Sequence, residues 1–223
     1  MSVLSERAMQ AVFFDMDGTL VDSEKLWSVA LDDLAAAFGG ELSADARAAM
    51  VGTNMAVSMR LFHDDLGLDG DLAESQQMLE SRTKELFALG LPWRVGAREL
   101  LHEVRAAGVP TALVTATHRH LVEVALTTLG PEHFDVVVCG DEVIRSKPHP
   151  EPYLRAARLL GVEPARCVAI EDSPTGVASA AAAGCAVLAV PSEVPVPPGE
   201  RRTIRDSLAE VDLAYLRGLL VTA

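Results

Sequence analysis

Short apolar runs alternate with longer stretches of helical spacing along most of the chain. The first run, Ala11–Phe14, is followed at once by polar residues, which is typical of a buried parallel strand that ends in a loop. Four later runs of the same kind predict strands over residues 110–115, 135–139, 167–170 and 186–190. The segments between them, 97–107, 119–129, 151–160 and 175–183, have helical spacing and each is followed by a glycine.

This alternation predicts an α/β fold, with a doubly wound parallel sheet of the Rossmann-like kind. One interval departs from it, because about a hundred residues separate the first two strands where a βα unit needs roughly 30. Residues 26–91 show helical spacing and no convincing strand. We therefore predict an α/β core over 1–22 and 93–223, and a helical cap over 23–92 that covers the carboxyl ends of the strands.

Charge and cysteine usage restrict the class of protein. The chain has 19 lysines and arginines against 32 aspartates and glutamates, a formal net charge of −13, which disfavours nucleic acid as a partner. Its apolar runs are too short to cross a membrane. The three cysteines form no C-x-x-C pair, as expected in a reducing cytoplasm. We expect a cytoplasmic protein, monomeric or dimeric, whose partner is a small molecule.

Polar residues, four of the six being carboxylates, follow the predicted strands. Because parallel strands end at the same sheet edge, these side chains should converge. Converging carboxylates repel one another unless a divalent cation is present, and their hard oxygen ligands favour Mg²⁺. A lysine and a hydroxyl beside such a metal would complete a pocket for a phosphoryl group. The residues concerned are Asp15, Asp17, Thr115, Lys147, Glu171 and Asp172.

In their order and spacing these residues resemble the four signature motifs of the haloacid dehalogenase superfamily. The first motif is the Asp-Met-Asp-Gly-Thr run over 15–19, and the others are Thr115, Lys147-Pro148 and Glu171-Asp172-Ser173. The resemblance spans essentially the whole chain, and the helical insert is similar to the cap of the β-phosphoglucomutase-like subgroup. The run from Asp22 to Trp27 looks most like the hexitol and 2-deoxyglucose 6-phosphate phosphatases.

The resemblance implies a role for each residue. Asp15 would be the nucleophile that forms an aspartyl phosphate, and Asp17 would protonate the leaving group and then activate water. Thr115, Lys147 and the backbone amides of Met16 and Ala116 would bind the phosphoryl oxygens. The ligands of Mg²⁺ would be the Asp15 carboxylate, the Asp17 carbonyl and Asp172, with Glu171 nearby or in the outer shell.

Hydrolysis of a small phosphomonoester, a sugar or polyol phosphate, is the function that this resemblance implies. The residues expected to select the substrate are Trp27 and the cap-loop residues Thr53, Asn54 and Met55. The alternatives are a phosphosugar mutase of the β-phosphoglucomutase type and a phosphoglycolate-type phosphatase. The mutases carry a histidine where this chain has Trp27 and an arginine where it has Met55. Without that guanidinium, bidentate binding of a second phosphate is lost.

Two further alternatives fit less well. Haloacid dehalogenation has no leaving alkoxide to protonate, so Asp17 argues against it. A response-regulator receiver has about 120 residues and accepts phosphate after its third strand rather than its first. The histidines show no spacing that suggests a metal site, so we expect them to be solvated or packed; they include His63, His102, His118, His120 and His133.

Overall fold

A sheet of six parallel strands organises the computed structural model, which describes residues 8–50, 53 and 55–222. The order across the sheet is β3-β2-β1-β4-β5-β6. The chain therefore moves outward in one direction from β1 to β3 and in the other from β4 to β6, which confirms the predicted doubly wound α/β fold. The strands are β1 (Ala11–Phe14), β2 (Thr111–Val114), β3 (Val136–Val138), β4 (Cys167–Glu171), β5 (Ala186–Ala189) and β6 (Arg202–Ile204).

The sixth strand was not predicted from the sequence. It has three residues and lies at the edge of the sheet, where Arg202 pairs with Val187 of β5. Because an edge strand need not be buried on both faces, it lacks the continuous apolar run that marks β1, β4 and β5. The adjacent Arg201 is partly buried and donates from Nε to the carbonyl of Cys185 at 3.2 Å.

Four of the helices between β1 and β2 form a group of their own. They are α1 (Glu24–Ala37), α2 (Ala44–Met50), α3 (Met55–Leu66) and α4 (Leu72–Ala88), and we refer to them as the cap. They pack around their own apolar cluster, in which Leu34, Phe62 and Leu79 are buried. The side chain of Asp71 caps α4 by accepting from the backbone amide of Ala73 at 2.8 Å. The cap thus has a core separate from that of the sheet.

Five helices cover the two faces of the sheet: α5 (Ala97–Ala106), α6 (Arg119–Leu129), α7 (Glu151–Leu160), α8 (Pro174–Ala182) and α9 (Leu213–Thr222). Val12 and Phe14 of β1 pack in the cluster that includes α5, α6 and α9, while Ala11 and Phe13 face the cluster with α7 and α8. This alternation follows from the two-residue period of a strand. Because both faces are covered, β1 is apolar throughout.

The two chain connections between the cap and the core run side by side. Val21 forms an antiparallel bridge with Trp93, and the amide of Asp22 donates to the carbonyl of Pro92 at 2.8 Å. These contacts lie at the predicted domain boundaries, 22/23 and 92/93. Helix α4 of the cap also contacts α6 of the core. Within the described residues, no helix combines the length and the apolar character needed to span a bilayer.

A matched pair of glycine substitutions tests the packing behind the second connection. Gly96 and Gly161 both have positive φ, +81° and +68°, but a Cβ at Gly96 would lie 2.4 Å from the backbone of Leu208, whereas one at Gly161 would meet nothing within 4 Å. We expect Gly161→Ala to reduce the free energy of unfolding by about 1 kcal/mol. Gly96→Ala should reduce it clearly more, because the Leu208 backbone must move. Urea unfolding measures both variants, and equal losses would contradict this packing.

Candidate active site

The carboxyl edge of the sheet brings together the side chains that the sequence singled out. Asp15 and Asp17 follow β1, Thr115 follows β2, and the Glu171-Asp172 pair lies at the end of β4. All of these except Glu171, together with Lys147, line a cavity of about 500 Å³. Residues of α1, α2, α3 and α4 form the opposite wall. The cavity therefore lies between the core and the cap.

Lys147 is the centre of a buried network. Its Nζ lies 2.6 Å from Oδ1 of Asp15 and 2.6 Å from Oε1 of Glu171, and it donates to the carbonyl of Val114 at 2.9 Å. The hydroxyl of Tyr153, on α7, donates to the same Oε1 of Glu171 at 2.6 Å. Glu171 is fully buried and does not reach the cavity. Its carboxylate therefore fixes Lys147 against Asp15. Sequence reasoning missed Tyr153, since it lies within the buried apolar face of a helix.

Burial sets the protonation equilibria of this network. It raises the pKa of Asp15, the negative charges of Glu171 and Asp172 raise it further, and Lys147 opposes the rise. Burial and the charge of Glu171 raise the pKa of Asp172 to about 7. For Lys147 burial alone would lower the pKa, but the carboxylates of Asp15 and Glu171 raise it above its ordinary value. One ammonium group thus faces three carboxylates, an excess of negative charge.

The same three carboxylates fit a divalent cation. Asp15, Glu171 and Asp172 each offer an oxygen, and these oxygens lie within 4.8 Å of one another. Oxygen ligands of this kind suit Mg²⁺. Gly18 leaves room for the site, because a Cβ there would lie 2.1 Å from Oδ2 of Asp172. That oxygen accepts a hydrogen bond from Ser192 at 2.6 Å. Since Asp15 and Asp172 line the cavity whereas Glu171 is fully buried behind it, Asp15 and Asp172 are the better placed ligands.

Asp17 lies apart from the carboxylate cluster and accepts from donors on two sides. Ser23 Oγ, at 2.5 Å, and the indole Nε1 of Trp27, at 3.2 Å, come from the entry to the cap. Thr117 Oγ1, at 2.7 Å, and Thr115 Oγ1, at 3.4 Å, come from the loop after β2. Trp27 was predicted to select the substrate; it lines the cavity and also holds Asp17. Sequence reasoning missed Ser23 and Thr117, whose hydroxyls carry no distinctive pattern.

Three predictions concern backbone groups, namely the amides of Met16 and Ala116 and the carbonyl of Asp17. Met16 is fully buried, and its carbonyl accepts from the amides of Thr19, Leu20 and Val21, which closes the turn after β1. Ala116 lines the cavity. A phosphate-binding role for the amides of Met16 and Ala116, and a metal-binding role for the carbonyl of Asp17, stay predictions.

The cap wall contains two of the three predicted loop residues. Thr53 and Met55 line the cavity, and Thr53 Oγ1 donates to the carbonyl of Met50 at 2.8 Å. Asn54 lies outside the described residues. The structure adds Arg47, on α2, which lines the cavity while its guanidinium pairs with Asp32. Sequence reasoning did not single out Arg47, since neither Arg47 nor Asp32 belongs to a motif.

Removal of the metal should change stability in a pH-dependent way. The raised pKa values of Asp15 and Asp172 mean that the folded chain binds protons more tightly than the unfolded chain. In EDTA its stability should therefore fall as the pH rises from about 4 toward 7, through the window between the ordinary and the raised pKa. At low pH a cation must displace these protons. We expect Mg²⁺ to raise the melting temperature more at pH 8 than at pH 5.5.

Thermal unfolding with and without Mg²⁺ measures this difference, and Asp172→Asn is its control. This variant removes one ligand and one titrating group, so both the Mg²⁺ effect and its pH dependence should shrink. A Mg²⁺ effect of equal size at the two pH values would contradict the assignment of the cluster as the metal site.

Comparison with known proteins supports this arrangement. The model of the haloacid dehalogenase-like hydrolase family matches residues 9–184. Hexitol phosphatase B of Escherichia coli K12 is 32% identical over 218 residues, which cover 96% of this chain and 95% of that protein. The phosphorylated carbohydrates phosphatase of Thermotoga maritima is 33% identical over 177 residues, with coverage of 79% and 82%.

A solved structure has the same fold. The crystal structure of a mutant of CbbY from Rhodobacter sphaeroides, in complex with xylulose-1,5-bisphosphate, superposes with a TM-score of 0.82 at 30% identity. The match covers 93% of this chain and 99% of CbbY. The resemblance inferred from the motifs is thereby confirmed: the chain belongs to the haloacid dehalogenase-like hydrolase family and is a phosphatase.

Proposed function

We propose that the protein is a Mg²⁺-dependent phosphomonoester hydrolase that acts on a sugar or polyol phosphate through an aspartyl phosphate on Asp15. The observation that carries the proposal is the separation of two carboxylates into two environments on one cavity. Asp15 is held by Lys147 beside the other carboxylates, while Asp17 is held by hydroxyl and indole groups alone. Such a division is typical of a nucleophile and a separate acid/base.

In the first step an oxygen of Asp15 attacks phosphorus. The new bond joins that oxygen to phosphorus, and the bond from phosphorus to the ester oxygen breaks. Protonated Asp17 gives its proton to the leaving alkoxide. Lys147, 2.6 Å from Oδ1 of Asp15, fixes the nucleophile and offsets negative charge. The chemistry that bound Mg²⁺ supplies is charge neutralisation at the carboxylates and the phosphoryl oxygens.

In the second step water attacks phosphorus and Asp17, now ionised, accepts its proton. The bond between Asp15 and phosphorus breaks, inorganic phosphate forms and Asp17 is again protonated. Trp27 can only donate, so its indole fixes the orientation of the Asp17 carboxylate in this step. Ser23 and Thr117 are hydroxyls and can turn to accept from the protonated form.

The lining of the cavity supports a carbohydrate substrate. Polar groups of Ser28, Thr53 and Ser58 alternate with apolar side chains such as Leu31 and Met55. A mixed wall of this kind suits a chain of carbon atoms that each carry a hydroxyl. The names of the hexitol and carbohydrate phosphatases to which the chain is similar support the same substrate class. A two-carbon acid such as phosphoglycolate would leave most of this wall without a contact.

Hydrolysis is favoured over the mutase alternative by the state of Arg47. A mutase must hold a second phosphate, and Met55 supplies no charge for it. Arg47 is the guanidinium nearest this role in the described cavity wall, but it is already paired with Asp32. A second phosphate would have to compete with Asp32 for this guanidinium.

Burial of the three cysteines supports the proposal that the protein works in a reducing cytoplasm with a small molecule as its partner. All three are free, and burial raises the pKa of Cys139 and Cys167 to about 12. These thiols are therefore unreactive and need no oxidising compartment.

A phosphate-release panel with Mg²⁺ tests the function. It contains hexitol 6-phosphates, hexose 6-phosphates, glycerol 3-phosphate, phosphoglycolate and β-glucose 1-phosphate with a trace of glucose 1,6-bisphosphate. We expect the hexitol and hexose phosphates to give the highest kcat/KM, and Asp15→Asn to abolish turnover while the melting temperature changes little. Rapid formation of glucose 6-phosphate with little free phosphate would establish the mutase instead. Turnover in Asp15→Asn would exclude the covalent route.

A second comparison separates the role of Asp17 from that of its indole donor. Asp17→Asn should lower kcat by about 10² to 10⁴, as expected for loss of a general acid/base. Trp27→Phe keeps the edge-on contact with Phe87 but removes one hydrogen bond to a charged acceptor, worth about 1.5–3 kcal/mol. It should lower kcat about tenfold while the melting temperature changes little. An unchanged kcat would show that Trp27 only packs.

A further inference from the structure

Two histidines of the core meet one glutamate of the cap beside the cavity, which His118 also lines. Glu80 lies on α4, and His118 and His120 lie at the start of α6. His118 Nδ1 is 2.9 Å from Oε1 of Glu80, and His120 Nε2 is 3.3 Å from Oε2. Sequence reasoning found no metal partner for these histidines, because Glu80 lies 38 residues before His118 and reaches it only through the fold.

Among the described residues, no lysine or arginine pairs with the carboxylate of Glu80. Its side chain is only 12% exposed, and its ion-pair partners among the described residues are the two imidazoles. Its other contact is an amide hydrogen bond from Gln76 at 2.8 Å. A carboxylate that is nearly removed from water and faces two imidazoles rather than a lysine or an arginine is an arrangement that a cation between the three side chains would complete.

We propose that Glu80, His118 and His120 bind a divalent transition-metal ion, of which Zn²⁺ is the type, that joins the cap to the core. Each residue offers one ligand atom, and these atoms lie within 4.8 Å of one another. Zinc bonds of about 2.0–2.1 Å place tetrahedral ligands about 3.3 Å apart, which matches the 3.3 Å from His120 Nε2 to Oε2 of Glu80. His118 Nδ1 lies nearer the other oxygen, Oε1, at 2.9 Å. Two histidines, one carboxylate and a water complete the usual four ligands of zinc.

The chemistry of this set differs from that of the catalytic cluster. The cluster at Asp15 consists of carboxylates alone, whereas imidazole nitrogen is a ligand for zinc, copper and nickel rather than for magnesium. Partial exposure of His118 and His120, at 27% and 43%, leaves a path from solvent. The two sites should therefore select different ions from the same solution.

The position of the site predicts its effect. Its ligands come from both domains, so a bound ion would stabilise the closed arrangement of the cap against the core. Substrate entry and product release require that arrangement to open. Zinc should accordingly slow turnover at saturating substrate without competing for the catalytic cluster. The site itself does not depend on which phosphoester the enzyme hydrolyses.

Calorimetric titration of the full-length protein with Zn²⁺, in excess Mg²⁺ and at pH 7.5, tests the proposal. We expect one ion per chain. Glu80→Gln and His120→Ala should each weaken binding at least about tenfold, as even outer-shell changes can. His133→Ala is the matched control, because His133 and His102 form another ring pair, 4.6 Å between centroids, outside the cap interface. That control should bind as the parent does.

Two further measurements keep the result independent of catalysis. Co²⁺ in place of Zn²⁺ should give the visible absorption of a tetrahedral site in the parent and in His133→Ala, and lose it in Glu80→Gln. Hydrogen exchange of α4 should slow on Zn²⁺ addition only where the site is intact. Absence of Zn²⁺ binding to the parent, or equal binding by all variants, would overturn the proposal and leave a simple imidazole–carboxylate contact. Neither outcome would bear on the phosphatase activity.

Discussion

The burial of one ammonium group among carboxylates is the constraint on which the site depends. Lys147 contacts both Asp15 and Glu171 at 2.6 Å with almost no access to water. Charges removed from water must be paired and hydrogen-bonded, or the group neutralises. The single positive charge of the lysine offsets the charge of one carboxylate, and the hydroxyl of Tyr153 gives Glu171 a second hydrogen bond. Asp15 and Asp172 keep the remaining negative charge, and that remainder makes the edge of the sheet a site for a cation and a phosphoryl group.

The fold supplies this arrangement through the reversal of strand order between β1 and β4. Adjacent parallel strands end there in Asp15 and in Glu171-Asp172, so the carboxylates converge without any sequence proximity. Glycines keep the space open, since a Cβ at Gly176 would lie 1.9 Å from Oε2 of Glu171. Helix α8 can therefore begin directly beneath the buried glutamate. Any side chain at that position would displace the group that fixes Lys147.

Sequence reasoning predicted those parts of the molecule that a short stretch of neighbouring residues specifies. Buried strands are continuous apolar runs, and Asp15 and Asp17 belong to a short motif, so both were found. Tyr153, Arg47 and Glu80 were missed for a common physical reason: each acts through a contact with residues far away in sequence. Their own surroundings look like ordinary helix faces. The edge strand β6 was missed because three residues, none of them buried, are too few to show the hydrophobic pattern of a strand.

The loop after β2 connects the chemistry to the position of the cap. Thr115 and Thr117 donate to Asp17, while three and five residues after Thr115 the histidines reach α4 of the cap. Between them Arg119 holds the loop to the core by bonding Glu142 and the carbonyl of Val137. Asp17 also takes donors from Ser23 and Trp27 at the cap entry. Movement of the cap would therefore alter both sides of Asp17 together, so closure and orientation of the acid/base are parts of one event.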